Sequence, residues 1–182
     1  MEKLIIFGIL SLPTLYFSWR ALFSIKSHGF YRFFAWECMI WLFASNYTFW
    51  FDDALSVRQV FSWILLLVSA YLAITGLMLI MNHGKQSVSR DDKTLFHFEK
   101  TTGLITTGVY RYIRHPLYGS LIYLTWGILL KNPTFVNIGF AVISTVLLYI
   151  TSKFDEKECI VYFGEEYKNY MTRSKMFIPF TF

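Results

Sequence analysis

Long apolar runs separated by short polar segments make up most of the 182-residue sequence. The runs cover about residues 4–24, 31–51, 58–82, 116–131 and 134–152. Because a helix needs roughly 20 mostly apolar residues to cross a bilayer, each run predicts one transmembrane helix. Between the last two runs, Asn132-Pro133 is a turn signal, which predicts that these two helices form a tight hairpin.

Two longer polar segments, 83–115 and 153–182, precede and follow this hairpin. The second is charged and aromatic, which predicts an amphipathic helix that ends near Lys175. The expected fold class is therefore all-α integral membrane, with about five transmembrane helices plus an amphipathic C-terminal helix. We expect one domain over 1–182, with three spans in 1–82 and the polar loop, hairpin and tail in 83–182.

Composition and charge agree with a membrane location and predict an orientation. The chain is 55% hydrophobic and only 16% charged, whereas soluble domains have about 25% charged residues. If the polar segments share one side, that side holds fourteen of the 17 Lys and Arg residues and the other side three. The positive-inside rule then places the loop and the tail helix in the cytoplasm and the N-terminus outside.

This topology accounts for the net charge of +5, so no nucleic-acid partner is expected. The two cysteines, Cys38 and Cys159, are expected to be reduced. No metal site is expected either, because the sequence has no CxxC or HxxxH spacing.

The loop segment that leads into the fourth run carries the densest candidate chemistry. It contains Gly108, Tyr110, Arg111, Arg114, His115, Pro116, Leu117 and Tyr118. Pro116 suits the first turn of a helix. The amides of Leu117, Tyr118 and Gly119 would then face the cytoplasm at a positive helix end, where a carboxylate or phosphate binds well. The alternative is a cap where the chain meets the membrane, with its arginines reaching lipid headgroups.

An acidic cluster, Asp155, Glu156 and Glu158, follows the last run. The predicted hairpin returns these carboxylates to the side of the membrane where His115 lies. They could hold a cationic group such as an ammonium. The alternative is that they form an ordinary solvated helix face.

Glu37 is unusual because it lies inside the second predicted span. Charges at such depth are costly and often functional, so Glu37 is a candidate substrate contact. Arg20 lies at a similar depth in the first span, and a structural Arg20–Glu37 ion pair is the alternative.

Two ordered motifs together carry a family resemblance. The first is Gly108-x-Tyr110-x-x-x-Arg114-His115-Pro116-x-Tyr118, and the second is an acidic pair followed by Phe163-Gly164-Glu165-Glu166-Tyr167-x-x-Tyr170. Residues 95–180 resemble the isoprenylcysteine carboxyl methyltransferases, and more broadly the membrane methyltransferase superfamily that includes phospholipid N-methyltransferases.

The resemblance implies an S-adenosylmethionine-dependent methyltransferase whose cofactor lies among the last two spans, the preceding loop and the tail. The implied cofactor contacts are His97, Thr102, Gly103, Leu104, Ile105, Tyr110, Arg114, His115, Pro116, Leu117, Tyr118, Asp155 and Glu156. Candidates for assisting proton removal from an amine or thiol acceptor are His115, Tyr118 and Glu156.

The sequence departs from the family pattern at three positions. Thr102 stands where the family has His, and Ser120 where it often has Gly. Thr151 occupies the position of an arginine that in the carboxyl methyltransferase branch is thought to meet the substrate carboxyl. Thr151 is therefore, with Glu37, a candidate substrate position, and the acceptor class stays open.

Several acceptors and two other functions remain as alternatives. The acceptor could be an isoprenylcysteine-like carboxyl, a phospholipid or other lipid amine, or a small thiol, and a lipophilic acceptor would enter sideways between helices. The chain could instead be an NADPH-dependent membrane reductase or a non-catalytic membrane scaffold. The sequence does not predict the oligomeric state.

Overall fold

The structure of the protein is a computed structural model, and the residues it describes are 1–84 and 101–179. The regular secondary structure of these residues is helical, and an isolated bridge pairs Ile113 with Lys175. The α-helices are α1 Glu2–Ser18, α2 His28–Asn46, α3 Val57–His83, α4 Pro116–Leu129, α5 Phe135–Phe163 and α6 Glu165–Arg173. Short 3-10 helices cover Ala21–Phe23, Tyr47–Phe49 and Gly108–Arg111.

Local capping explains where the last three helices begin and end. Pro116 occupies the first turn of α4, as predicted. The hydroxyl of Thr134 accepts a hydrogen bond from the amide of Asn137 and caps α5. Gly164 ends α5 with φ of 60°, a backbone conformation that glycine adopts without strain.

Helix α5 is longer than the predicted span, because nothing before Gly164 interrupts it. It has 29 residues, and its last turns carry Asp155, Glu156 and Glu158. The acidic cluster is therefore part of a rigid membrane-type helix and not of a separate tail. The following helix, α6, is short and ends at Arg173, just before the predicted end near Lys175.

The helices pack in a fixed order. α2 packs against α1 on one side and extensively against α5 on the other, and α4 lies between α5 and α3. Gly127 of α4 allows the close approach to α3, because a Cβ built there would lie 2.9 Å from the side chain of Leu66. Small residues at such contacts are typical of membrane helix pairs.

Two of the described helices are long and apolar enough to cross a membrane, within Val57–Asn82 and Phe135–Phe163. α4 is apolar but has only 14 residues. Large apolar side chains also face outward along both long helices, such as Leu67, which is 68% exposed, and Ile143, which is 52% exposed. Extended exposed apolar surface of this kind suits contact with lipid. Length and composition thus support a membrane protein. By these criteria two of the described helices are candidate spans, whereas five spans were expected.

Glu37 contacts α1 through hydroxyl groups. Its carboxylate accepts hydrogen bonds of 2.6 Å from the side chains of both Ser11 and Thr14. Arg20 lies beyond the end of α1 with an exposed side chain. In the described residues the expected Arg20–Glu37 ion pair is therefore replaced by a polar contact between α1 and α2.

A buried asparagine pair joins three helices at the end of the bundle away from the polar loop. The Asn46 amide donates to the carbonyl of Ile128 over 2.9 Å. Asn137 in turn donates to the Asn46 side-chain oxygen, also over 2.9 Å. Because Asn46 is fully buried, the pair fixes the register of α2 against α4 and α5.

We predict that Asn46→Ala lowers the free energy of unfolding by about 1–3 kcal/mol, because it leaves the Ile128 carbonyl and the Asn137 amide without their buried partner. Thermal unfolding in detergent measures this. Asn169→Ala on the exposed face of α6 is the matched control and should change stability by less than about 0.5 kcal/mol. Equal behaviour of the two variants would contradict the structural role of Asn46.

Candidate active site

A cavity of about 520 Å³ lies where the loop before α4, the ends of α3, α5 and α6, and the first half of α2 meet. Its described lining residues are Phe17, Arg32, Trp36, Ile80, Thr101, Gly103, Leu104, Ile105, Tyr110, Arg114, His115, Pro116, Leu117, Tyr118, Leu121, Asp155, Cys159, Phe163, Tyr167 and Tyr170. The structure thus brings together ten of the thirteen cofactor contacts that the resemblance implied. The cavity combines an apolar lining with a few convergent polar groups, which is typical of small-molecule sites.

The 3-10 helix before α4 is held against α3 at a glycine. Gly108 has φ of +58°, and a Cβ built there would lie 2.7 Å from the Leu79 side chain. Only glycine satisfies both constraints, which explains the first position of the motif. Tyr110, two residues later, is then buried against Ile80 and Ile105.

The C-terminal segment after α6 closes one side of the site by pairing with the residues that precede α4. The Arg114 amide donates to the Lys175 carbonyl over 2.7 Å, and the His115 amide donates to the Met176 carbonyl over 3.2 Å. From α6, the Tyr170 hydroxyl donates to the Tyr110 carbonyl over 2.5 Å. The tail is therefore part of the site's wall.

Arg114 joins α5 and α6 to the cavity wall. Its Nε and Nη2 atoms lie 3.0 and 2.9 Å from Oε1 of Glu156. Its Nη1 donates to the Met171 carbonyl over 3.3 Å and also to the carbonyl of Ser174. Lys153 adds a second cation, 3.0 Å from the other oxygen of Glu156.

Glu156 therefore lies behind the cavity wall rather than in it. Its side chain is 4% exposed, and it is engaged by Arg114 and Lys153. This differs from the expectation that Glu156 contacts the cofactor or acts in catalysis. Asp155, which is 22% exposed, faces the cavity instead, because consecutive helix positions point about 100° apart.

His115 lies between the two carboxylates. Its Nδ1 is 3.3 Å from Asp155 and its Nε2 is 3.5 Å from Glu156, although Nε2 makes no hydrogen bond. Burial by itself lowers the pKa of the imidazole, but the hydrogen bond with Asp155 and the negative charges of Asp155 and Glu156 outweigh burial and raise the pKa above its usual value. The two carboxylates thus favour the protonated form of His115, which links Asp155 to Glu156.

The start of α4 presents fewer amides than the sequence predicted. The Gly119 amide donates to the His115 carbonyl over 2.8 Å, because Gly119 is the first residue with a carbonyl four positions earlier available in the helix. The expectation that Gly119 offers a free amide is therefore wrong. The first-turn amides of Leu117 and Tyr118 remain at the positive end of the helix, where both residues line the cavity.

Four other expected residues do not line the cavity or are not described. The Thr102 amide bonds to the Gly84 carbonyl over 3.1 Å, beside the lining residue Gly103. Thr151 is fully buried and donates to the Leu147 carbonyl, and Glu37 faces α1. His97 lies outside the described residues.

The motifs did not predict the contribution of the first two helices. Phe17, Arg32 and Trp36 line the same cavity as the motif residues. The available signal was Arg32 itself, because an arginine at the start of an apolar run is a functional candidate in a membrane protein. Because Arg32 was used only among the charges that predict the orientation, its position in the cavity wall was not predicted.

Comparison with known families agrees with this geometry. The family model of phospholipid methyltransferases matches residues 57–166, from α3 into α6. The chain belongs to the phospholipid methyltransferase family. The resemblance inferred from the motifs is thereby confirmed.

The relatives of this family member include methyltransferases that are named for different acceptors. It is 28% identical over 141 residues to a methanethiol S-methyltransferase of Crocosphaera subtropica, covering 73% of this chain and 51% of that protein. It is 25% identical over 185 residues to methanethiol S-methyltransferase 1 of Bradyrhizobium diazoefficiens, covering 96% and 53%. It is 29% identical over 131 residues to the protein-S-isoprenylcysteine O-methyltransferase of Homo sapiens, covering 60% and 42%.

The chain thus spans about half the length of these relatives, so the match alone does not assign their acceptors. No solved structure matches this phospholipid methyltransferase family member.

We predict that Glu156→Ala destabilises this family member by about 3–5 kcal/mol, because it leaves the buried Arg114 charge without its carboxylate. Thermal unfolding in detergent measures the loss. Glu165→Ala is the matched control, since the Glu165 side chain is 78% exposed and pairs only with Lys168 among its described ion pairs. If Glu156→Ala were no more destabilising than this control, Arg114 and Glu156 would not hold the site together.

We predict that stability falls as the pH rises above about 6.5, the usual pKa of an unfolded histidine. The folded pKa of His115 is raised, so its stabilising contribution is complete below that value and is lost as the pH passes through the folded pKa. Unfolding temperatures measured across this range test the prediction. His115→Gln should flatten the dependence, and an unchanged slope would show that another group is responsible.

Proposed function

We propose that this chain is an S-adenosylmethionine-dependent membrane methyltransferase whose cofactor binds in the cavity before α4. The observation that carries the proposal is the convergence of His115, Asp155 and the start of α4 in one cavity of a phospholipid methyltransferase family member. Family membership supports a methyl donor of this type in general. The residues of the cavity support this donor in particular.

The cavity fits the amino-acid end of the donor. Asp155 offers a carboxylate for an ammonium, and the Leu117 amide at the start of α4 offers an N–H for a carboxylate. A carboxylate and the positive end of a helix in one cavity match a zwitterion. The cavity volume of about 520 Å³ lies within the usual range of roughly 300–1,000 Å³ for ligand sites.

In this proposal the protein aligns the acceptor with the methyl donor and excludes water from both. When bound, S-adenosylmethionine supplies a methyl group activated by a sulfonium sulfur. Tyr110, Leu121 and Phe163 in the wall enclose the site and limit access of water. Rigid placement of the acceptor behind the methyl group contributes most in such transfers, because the chemistry itself needs little covalent help.

The candidate catalytic residues take different roles in this proposal. His115 positions Asp155 in the cavity, with Nδ1 3.3 Å from the Asp155 carboxylate. Tyr118 lines the cavity next to His115, with ring centroids 5.6 Å apart, and faces the reacting groups. Glu156 positions Arg114 and His115 from behind the wall.

We propose that α1, α2, α3, α4 and α5 all cross the membrane. The loop before α4 and the helix α6 then lie in the cytoplasm, and the N-terminus lies outside. The asymmetry of Lys and Arg supports this orientation. α4 has only 14 residues, so its span would need the flanking turn and a thinned bilayer. A lipophilic or small acceptor would then reach the cavity from the bilayer.

We predict that purified protein in lipid vesicles binds S-adenosylmethionine but not NADPH, and transfers its methyl group to an added acceptor. Asp155→Asn should weaken donor binding at least about tenfold, because it removes a charge-assisted hydrogen bond. Calorimetric titration measures the binding, and a labelled methyl group reports the transfer.

The control for this titration is Glu165→Gln, which removes an exposed carboxylate of α6 outside the cavity wall. It should bind the donor as the wild type does. Binding of NADPH alone would identify a reductase, and binding of neither molecule would favour a scaffold. Either result would overturn the proposed function.

A further inference from the structure

A second cavity, of about 530 Å³, lies on the other side of α4 from the proposed donor cavity. Residues of α3, α4, α5 and the segment after α6 form its wall, and α4 contributes Ile122 and Trp126 among others. The donor cavity is lined from α4 by Leu117 and Leu121 instead. Because consecutive helix positions point about 100° apart, these two pairs lie on largely opposite faces of α4. The helix therefore separates a ligand of the second cavity from the methyl donor.

The wall of the second cavity suits hydrocarbon and not water. All of the lining surface that the described residues contribute is apolar. Trp126 Nε1 donates to the Thr145 hydroxyl over 3.2 Å, and this hydroxyl donates to the Ala141 carbonyl over 2.8 Å, so these polar atoms are already bonded. A buried water molecule needs about two to four polar partners, which this surface does not offer. An unfilled space would leave the wall atoms without dispersion contacts, so an apolar ligand stabilises it.

The second cavity opens towards the lipid-facing side of the bundle and is elongated along α4. Val146 and Tyr149 of α5 line it and are 51% and 40% exposed. Its wall extends from Gly119 to Trp126, which are about 10 Å apart along the helix axis. α3 and α5, which both contribute to the wall, are long and apolar enough to cross a membrane. The shape, the apolar wall and the lateral opening match one hydrocarbon chain of a bilayer lipid.

Phe177 connects the second cavity to the donor site. It lines the second cavity, and its ring centroid lies 6.2 Å from that of His115. It also packs in one buried cluster with Tyr118 and Met176. The carbonyl of Met176 accepts the hydrogen bond from the His115 amide. A ligand that contacts Phe177 therefore supports the segment that closes the donor site.

We propose that the second cavity binds one acyl chain of a bilayer phospholipid, and that this chain supports the donor site by holding Phe177 in place. The bound lipid is not the methyl acceptor, because α4 lies between its chain and the donor. The lipid site is independent of the proposed function, and only its effect on donor binding rests on that function.

Native mass spectrometry of delipidated protein in detergent, titrated with dioleoylphosphatidylcholine, tests the lipid site. The amine of this lipid is already fully methylated, so it cannot act as an acceptor. We expect wild type to retain one lipid molecule. Val146→Trp and Leu65→Trp place an indole in the cavity from two different helices. Each should lower the retained fraction at least about fivefold, because the chain loses its contacts with the wall.

Val142→Trp is the matched control for this titration. Val142 is 47% exposed, lies one turn before Val146 on α5 and is outside the described cavity wall. The control should retain lipid as the wild type does. The lipid site would be refuted by a wild type that retains no lipid, by equal retention in the Val142 and Val146 variants, or by a lipid that S-adenosylmethionine displaces. A stable dimer without lipid would also refute it, since a neighbouring helix would then cover the cavity.

Amide hydrogen exchange measures the effect on the donor site without any donor. The Arg114 and His115 amides bond to the segment that leads to Phe177. Added dioleoylphosphatidylcholine should slow their exchange at least about fivefold in wild type, and less than about twofold in Val146→Trp. The dissociation constant for S-adenosylmethionine should fall in parallel, about fivefold or more in wild type and within about twofold in Val146→Trp, because lipid raises the fraction of protein with a closed donor site.

The outcomes separate this inference from the proposed function. Unchanged amide exchange in wild type with lipid bound would overturn the support of the donor site by the chain. Donor binding that ignores lipid, in protein whose amide exchange responds, would overturn the effect on the donor. If no condition gives donor binding, the proposed function fails, and lipid retention and amide exchange still decide whether the second cavity holds a lipid chain that supports Phe177.

Discussion

The site depends on the ion pair between Arg114 and Glu156. This guanidinium bonds to a carboxylate of α5 and to two carbonyls at the end of α6, while its own backbone pairs with the C-terminal segment. Because Arg114 is nearly buried, losing any of these partners would leave a charge in a water-poor place. The same contact fixes His115, the next residue, between Asp155 and Glu156. One interaction thus sets both the shape of the cavity wall and the charge around His115.

The bilayer gives this arrangement its architecture. Backbone groups within a membrane must be bonded internally, so the spanning parts are helices and the irregular backbone lies at their ends. At one end, the loop before α4 and the segment after α6 pair with each other through their backbones. α2 and α5 extend the cavity from this polar end into the bundle.

Much of the fold and part of the site could be predicted from the sequence. The apolar runs, the Asn132-Pro133 turn and the helix start at Pro116 are local signals, and each corresponds to an observed helix or boundary. His115 and Asp155 were expected to meet because a hairpin returns the chain, and they lie 3.3 Å apart. The end of α5 was less predictable. The predicted span stops where charged residues begin, whereas α5 continues through Lys153, Asp155 and Glu156 to Phe163. Which of the side chains of Asp155 and Glu156 points into the cavity was also not predictable. The sequence does not show how α5 is rotated about its own axis.

By itself the sequence determined the helical, membrane-type fold, the family and the segment that carries the polar chemistry. These properties follow from hydrophobic run length, turn residues and motif spacing, all of which are local along the chain. Only the tertiary structure decided that Glu156 lies behind the wall, that Glu37 bonds to Ser11 and Thr14, and that Arg32 reaches the cavity. Each of these depends on how one helix is rotated and shifted against another. Side-chain packing summed over the whole interface sets that register, and no short stretch of sequence contains it.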